Sequence, residues 1–388
     1  MSGIVERVRE PEAEREWATA PARRRLGPRP LPLYLAAAAA LDAVDGPSDP
    51  PGPGPSERFL AGLRAYWRHP YRRALEDPPA IWARGSTRLL DFGPEPGFPV
   101  LLVPSLVNRG YILDLSPERS LARELARRGL RPRLVDWQEP GAAELGLSLD
   151  DYIGDLLEEI LTVARRATRR RPVVLGYCMG GLLALPLAER RRREVAGLAL
   201  LATPWDFSLT VAAAQLAPLV EAGLALGAIG LAGQVPVGVL EALFAAGDPR
   251  QVVEKFADFG RLPQAGARAE AFVAIEDWLG DGVPLAGAVA RTCLVEWYTE
   301  NRPHRGEWRV AGAPVAPAEL DLPALVVAPR RDRIVPEASA LPLATLLPRA
   351  ELLRPAAGHV GMVAGRHAPE QLWRPLAAWL RRIAAMQD

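Results

Sequence analysis

A cysteine bracketed by glycines, Gly176-Tyr177-Cys178-Met179-Gly180-Gly181, follows the apolar run Val173-Val174-Leu175 and precedes a helix-forming segment. Strand, sharp turn and helix in that order form a nucleophile elbow, which thrusts a reactive side chain out beyond the sheet edge. The turn is so tight that positions two before and two after the nucleophile must be nearly free of side chain, and Gly176 and Gly180 stand there. A thiol in this place points to acyl transfer through a thioester. For that, a base must take its proton and a third group must orient the base.

With four histidines in the chain, the search for a base is short. His69, in Tyr66-Trp67-Arg68-His69-Pro70-Tyr71, lies upstream of the core-forming runs and reads as structural. His304 sits in a Pro/Arg-rich loop, and His367 reads as a helix-entry residue. His359 differs: Pro355-Ala356-Ala357-Gly358-His359-Val360-Gly361 is a small-residue loop directly after a strand, suited to holding an imidazole over the sheet's carboxyl edge. Asp332 follows the apolar run Leu325-Val326-Val327-Ala328 and precedes Val335-Pro336, so it falls just past a strand end. The expected catalytic set is therefore Cys178, Asp332 and His359. An oxyanion needs two donors. The backbone N–H of Met179, at the start of the elbow helix, is expected to be one. The other is expected from the loop Pro104-Ser105-Leu106-Val107-Asn108-Arg109, with the N–H of Val107 as the donor. Cys293 has no glycine bracket and is expected to pack. No paired Cys or His spacing suggests a metal, and no cofactor is expected.

The elements that must position these residues are legible as alternation. Strands are expected at Leu89–Phe92, Val100–Val103, Arg133–Asp136, Val173–Gly176, Leu198–Leu201, Leu325–Ala328 and Glu351–Arg354. Helices are expected at Glu118–Arg128, Ser148–Ala164, Met179–Arg191 and Glu370–Met386. That pattern predicts an α/β fold with a mostly parallel central sheet. The stretch from about Phe207 to Val310 lacks the alternation and reads as an inserted helical cap. The expected division is a flexible extension and linker over 1–56, core over 57–206, cap or lid over 207–310, and core again over 311–388. Within the first part, Leu33 to Val44 is expected to form a short apolar helix, and Gly46 to Ser56 a Pro/Gly linker.

Across its 388 residues the chain is 49% apolar and 24% charged, with a net charge of +1. So balanced a charge provides no overall field toward nucleic acid or an anionic membrane, and neither is expected as a partner. Two cysteines make no disulfide framework, and the first thirty residues lack the apolar core of a signal peptide, so a cytoplasmic location is expected. The Ala/Leu/Gly-rich run from Leu209 to Ala246 is interrupted by Gln215, Pro218, Glu221, Gln234 and Pro236. It reads as part of the lid, and no transmembrane segment is expected.

Several blocks together resemble the polyhydroxyalkanoate synthases of the α/β-hydrolase superfamily, particularly the short catalytic subunits of the two-component class III type. Beyond the elbow they are Val100-Leu101-Leu102-Val103-Pro104 with Leu106-Val107-Asn108-Arg109-Gly110-Tyr111-Ile112-Leu113-Asp114-Leu115, Asp136-Trp137-Gln138-Glu139-Pro140, and Thr203-Pro204-Trp205-Asp206-Phe207. Leu149-Asp150-Asp151-Tyr152-Ile153, Tyr298-Thr299-Glu300-Asn301, Asp332-Arg333-Ile334-Val335-Pro336 and Gly358-His359-Val360-Gly361 complete them. The chain order Cys178, Asp332, His359 is also that of α/β-hydrolase triads.

The resemblance implies an acyltransferase that polymerises (R)-3-hydroxyacyl-CoA thioesters through an acyl-enzyme on Cys178 and releases CoA. In it His359 takes the thiol proton, and Asp332 activates the substrate hydroxyl through or beside the histidine. It further implies an accessory synthase subunit, a polymer granule surface and a homodimer through the cap as partners. The chain departs from the family in a cap richer in Ala and Gly than is usual, and at Arg333, where a histidine is usual. A guanidinium there is expected to hold the Asp332 carboxylate ionised and compete for its hydrogen bonds. Two other readings stay open. One is a cysteine-dependent hydrolase (thioesterase, polyester depolymerase or dienelactone-hydrolase-like); the other is a non-catalytic granule-associated protein. The Asp-Trp-x-x-Pro and Thr-Pro-x-Asp-Phe blocks favour the synthase.

Overall fold

A computed structural model of the chain describes residues 25, 27–45, 52–93, 96–166, 168–210, 212–215, 227, 229, 233–245 and 248–387. Each of the seven expected apolar runs is a strand, and an eighth precedes them. The strands are β1 (Ala80–Arg84), β2 (Thr87–Asp91), β3 (Phe98–Val103), β4 (Leu130–Asp136), β5 (Val173–Tyr177), β6 (Gly197–Leu201), β7 (Ala324–Val327) and β8 (Ala350–Leu353). They form one sheet in the order β1-β2-β4-β3-β5-β6-β7-β8. Every pairing from β4 to β8 is parallel, whereas β1–β2 and β2–β4 are antiparallel.

Strands β3, β5, β6 and β7 are nearly uninterrupted apolar runs because helices cover both faces. In β3, Leu101 and Val103 point into one core with Leu156, Ile160, Leu182 and Leu185. Val100 and Leu102 point into the other with Leu121, Leu125, Met362 and Leu376. Because β4 and β5 both flank β3, the strand order reverses there. Such a reversal opens a crevice beyond the carboxyl ends of the strands, the usual ligand position in a parallel sheet.

Helix α3 (Leu121–Arg127) follows β3's excursion, and α4 (Glu158–Arg166) continues a helical start at Leu149–Asp151. Ser148 and Asp151 cap that start reciprocally, each side chain bound to the other's backbone N–H. A π-turn over Tyr152–Leu157 interrupts the expected continuous helix. Helix α5 (Met179–Arg190) follows the elbow. Between β6 and β7 the described chain adds helices α6 (Val237–Ala245), α7 (Pro249–Gly260), α8 (Ala267–Leu279) and α9 (Gly287–Arg291), the last running into a π-turn at Thr292–Thr299. Then come α10 (Glu337–Leu346), α11 (His359–Ala364) and α12 (Arg374–Ala385).

Two helices precede the sheet, α1 (Leu31–Asp45) and α2 (Pro55–Arg68). They pack Tyr34, Phe59, Leu63 and Tyr66 against Val253, Phe256, Phe259 and Val273 of α7 and α8. Leu31–Asp45 lies inside the stretch read as extension, yet it is docked on the inserted helices. Gly62 makes the close crossing possible, since a Cβ there would stand 1.8 Å from the Phe256 carbonyl oxygen. Residues 1–24, most of the Pro/Gly linker and, within the run from Leu209 to Ala246, residues 211, 216–226, 228, 230–232 and 246 lie outside the described residues. Among the described residues no helix is long and apolar enough to cross a membrane.

Candidate active site

Cys178 joins β5 to α5 with φ +56° and ψ −128°, a conformation that costs a non-glycine residue about 1–3 kcal/mol. Its N–H donates to the Leu201 carbonyl of β6 at 2.8 Å, and its own carbonyl accepts from Gly181 N–H at 3.0 Å. These bonds hold the strained turn, and the glycines make room for it. A Cβ on Gly176 would fall 2.4 Å from Gly181 Cα, and one on Gly180 would fall 2.0 Å from the Val103 carbonyl oxygen. The structure adds a third position that the spacing argument passed over. A Cβ on Gly181 would lie 1.8 Å from Thr203 Oγ1, so elbow helix and Thr-Pro-x-Asp-Phe block meet there. The doubled glycine was the available signal.

Asp332 and His359 come together as the sequence predicts. Asp332 lies in the loop after β7, with its side chain fully buried. One oxygen, Oδ1, accepts from the N–H groups of Ile334 and Val335, each at 2.9 Å, and Oδ2 is 2.7 Å from His359 Nδ1. His359 opens α11 with Gly358 as its cap. Tyr177 Oη donates to the His359 carbonyl at 3.3 Å, and the two rings lie 5.2 Å apart. Since Nδ1 serves Asp332, Nε2 is the nitrogen left to serve Cys178, whose sulfur is near enough to act on the imidazole's charge. Burial alone would lower the imidazole pKa. The Asp332 carboxylate and the Cys178 sulfur reverse that, holding it well above its ordinary 6.5. The half-buried thiol thus faces an imidazole held in one orientation.

The remaining histidines are engaged elsewhere. His69 is buried between the Gln264 carbonyl at 2.8 Å and Tyr71 N–H at 3.2 Å. His304 lies 3.5 Å from Asp206, and Arg366 Nε donates to His367. Cys293 is buried, and burial pushes its thiol pKa up.

Two expectations need correction. Arg333 does not compete for Asp332: its guanidinium turns outward and pairs with Asp248, the N-cap of α7, at 2.6 Å. Both Asp332 oxygens are already held by backbone N–H groups and His359, so the exposed acid is the better partner. Val107 is not a free oxyanion donor either. Its N–H donates to Ser105 Oγ at 3.1 Å in a local serine turn. Among the described residues no acceptor is found for the N–H of Leu106, one position earlier, nor for that of Met179. Ser105 was the signal that the Val107 N–H would be engaged.

The other blocks brace this centre. Trp137 Nε1 donates to the Pro104 carbonyl at 3.1 Å, fixing the start of the loop that bears Leu106, and its ring meets Tyr152 edge-on at 5.5 Å. Asp206 accepts from Asn301 Nδ2 at 2.9 Å, while Asn301 Oδ1 accepts from Phe207 N–H at 2.9 Å. This clasp ties the entry of the inserted helices to their exit. Tyr298 packs edge-on against Phe207 at 4.9 Å, and burial and the nearby Cys178 raise its phenol pKa.

Comparison with known proteins bears on the fold and the family. A family model described as "alpha/beta hydrolase fold" matches residues 99–365. The "Poly(3-hydroxyalkanoate) polymerase subunit PhaC" of Haloarcula marismortui is 29% identical over 285 residues, covering 72% of this chain and 60% of that protein. The chain thus spans about three fifths of that relative's length. The like-named subunit of Synechocystis sp. is 29% identical over 297 residues, covering 73% of this chain and 77% of that protein. Among solved structures, a monoacylglycerol lipase of Paleococcus ferrophilus is similar with a TM-score of 0.48 and 18% identity, over 76% of this chain and 99% of that one. On its sheet, its elbow and the extent of the family match, the chain belongs to the alpha/beta hydrolase fold family, and poly(3-hydroxyalkanoate) polymerase subunits are among its relatives.

Proposed function

We propose that the protein is an acyltransferase that polymerises (R)-3-hydroxyacyl-CoA thioesters through a covalent acyl-enzyme on Cys178. The observation that carries this reading is the Cys178–His359–Asp332 relay, set in a chain whose relatives are named polymerase subunits. Cys178 Sγ, its proton passed to His359 Nε2, attacks the thioester carbonyl. The C–S bond to CoA breaks, and the CoA thiolate leaves with the proton from His359. In the next half-reaction His359 accepts the proton of a 3-hydroxyl group. That oxygen attacks the acyl carbonyl held on Cys178, the Sγ–C bond breaks as the ester bond forms, and His359 returns the proton to the departing sulfur. Asp332 acts through His359, because its oxygens are committed to Nδ1 and two backbone N–H groups. The N–H groups of Leu106 and Met179 receive the oxyanion in both halves.

Transfer to a hydroxyl rather than to water needs a dry site. A narrow crevice beside the oxyanion loop, walled by Leu106, Trp137, Tyr152, Leu285 and Val289 together with the polar Gln138, is in keeping with this. In this reading residues 207–310 act as a lid that opens for the product. Association with an accessory subunit, a polymer granule and a second copy of the chain belongs to the same proposal, as does a cytoplasmic location.

The test is incubation of the purified protein with 3-hydroxybutyryl-CoA, following CoA release and the product. Oligomer or polymer is expected. Free 3-hydroxybutyrate alone would make the protein a hydrolase. No CoA release, with candidate accessory subunits added, would overturn both.

A further inference from the structure

The loop that carries the Leu106 donor is joined along its length to one turn of the inserted helices. Val283 N–H donates to the Val107 carbonyl at 2.9 Å, and Asn108 forms an antiparallel bridge with Gly282. Trp278 Nε1 donates to the Arg109 carbonyl at 2.8 Å. At the centre of this seam is Asp281. Its Oδ1 accepts from Arg109 Nε at 3.3 Å, and its Oδ2 accepts from Tyr111 Oη at 3.3 Å. Arg109 is mostly buried and also donates to Gln138 Oε1 at 2.8 Å, so it ties the turn at 278–283 to the loop after β4. The turn itself has little freedom, because a Cβ on Gly282 would lie 2.5 Å from Val237 Cγ1 of α6.

A segment so fastened cannot shift without taking residues 104–109 with it. The opposite end of the loop is held by the core, through Trp137 on the Pro104 carbonyl. From this seam we infer that Asp281 and Arg109 are positioning residues for acyl transfer: they set the Leu106 N–H against the carbonyl under attack, so the seating of the inserted helices governs oxyanion stabilisation. Neither residue touches the reacting atoms. The inference rests on Cys178 being the acylated nucleophile but not on which acyl donor it meets.

Two reactions of the same sulfur separate positioning from mere folding. p-Nitrophenyl butyrate acylates Cys178 by carbonyl attack: an Sγ–C bond forms, p-nitrophenolate leaves, and the transient oxyanion needs its donors. Iodoacetamide alkylates the same thiol by displacement of iodide at a saturated carbon, with no oxyanion. In Asp281→Asn and Arg109→Gln, alkylation should stay within about twofold of wild type while acylation slows about 10- to 100-fold, mainly in kcat. Asp281→Glu should recover part of the loss, and the double variant should be little slower than the worse single one. Unchanged acylation, or acylation and alkylation falling together, would overturn the inference, as would a wild-type protein that p-nitrophenyl butyrate does not acylate. Wild type that is acylated by the ester yet releases no CoA from 3-hydroxybutyryl-CoA would instead sink the proposed function and leave this inference standing.

Discussion

Replacing Asp332 by Asn tests the relay with little change in shape. The amide oxygen can still accept from Ile334 and Val335 N–H, both at 2.9 Å, so the loop after β7 should keep its form. What changes is the atom 2.7 Å from His359 Nδ1. A carboxylate there accepts the Nδ1 proton and leaves Nε2 free to take one from sulfur. The NH2 of Asn would donate to Nδ1 instead, placing the imidazole proton on Nε2, where it cannot serve as a base. The charge that holds the His359 pKa above its ordinary value also goes, leaving burial to lower it. Wrong-tautomer substitutions of this kind reduce turnover about 10⁴-fold, or about 5–6 kcal/mol at 1.4 kcal/mol per factor of ten. The assay is single-turnover CoA release from 3-hydroxybutyryl-CoA, with circular dichroism to confirm the fold. A variant within tenfold of wild type would refute the relay and leave Asp332 a loop-forming residue.

Gly181→Ala should be destabilised by about 1–3 kcal/mol or more, because its Cβ would meet Thr203 Oγ1 at 1.8 Å. Denaturant unfolding of Gly181→Ala combined with Thr203→Ala should recover at least about 1 kcal/mol. His359 carries a folded pKa well above 6.5, so its contribution to stability is full below that value and fades as pH rises through the folded value. Melting temperatures of wild type and His359→Gln should therefore converge as pH climbs above 6.5; parallel curves would contradict the ion pairing. Burial pushes Glu189, at the end of α5, up to about 8, although Ala316 N–H donates to it at 3.0 Å. A carboxyl raised this way stabilises the fold below its ordinary 4.5 and loses that contribution as pH rises to about 8. Glu189→Gln should flatten the decline, and an unchanged pH profile would count against it.

What was legible followed from residue types whose constraints are local. Of the seven expected strands, β3, β5, β6 and β7 could be read because buried parallel strands are nearly continuous apolar runs. The eighth, Ala80–Arg84, is an exposed antiparallel edge and carries no such signature. The elbow was legible because only glycine tolerates the contacts around Gly176 and Gly180. Asp332 and His359 could be placed because each follows an apolar strand at the sheet's carboxyl edge. The π-turn at Tyr152–Leu157 was not legible, since it preserves the apolar spacing of an ordinary helix to within one residue. Nor was the orientation of Arg333. Adjacency in the chain put it beside Asp332, but its charge is satisfied by Asp248, which only the folded arrangement brings near. The choice between Leu106 and Val107 turned on one serine hydroxyl, a detail of loop geometry that spacing does not contain.

Whether Cys178 carries the growing acyl chain is read by mass spectrometry of the protein quenched during reaction with 3-hydroxybutyryl-CoA. One or more 3-hydroxybutyryl units, the first held as a thioester, are expected on the peptide containing Tyr177-Cys178-Met179, and none in Cys178→Ala. Acyl units on another residue, or undiminished product from Cys178→Ala, would contradict that role.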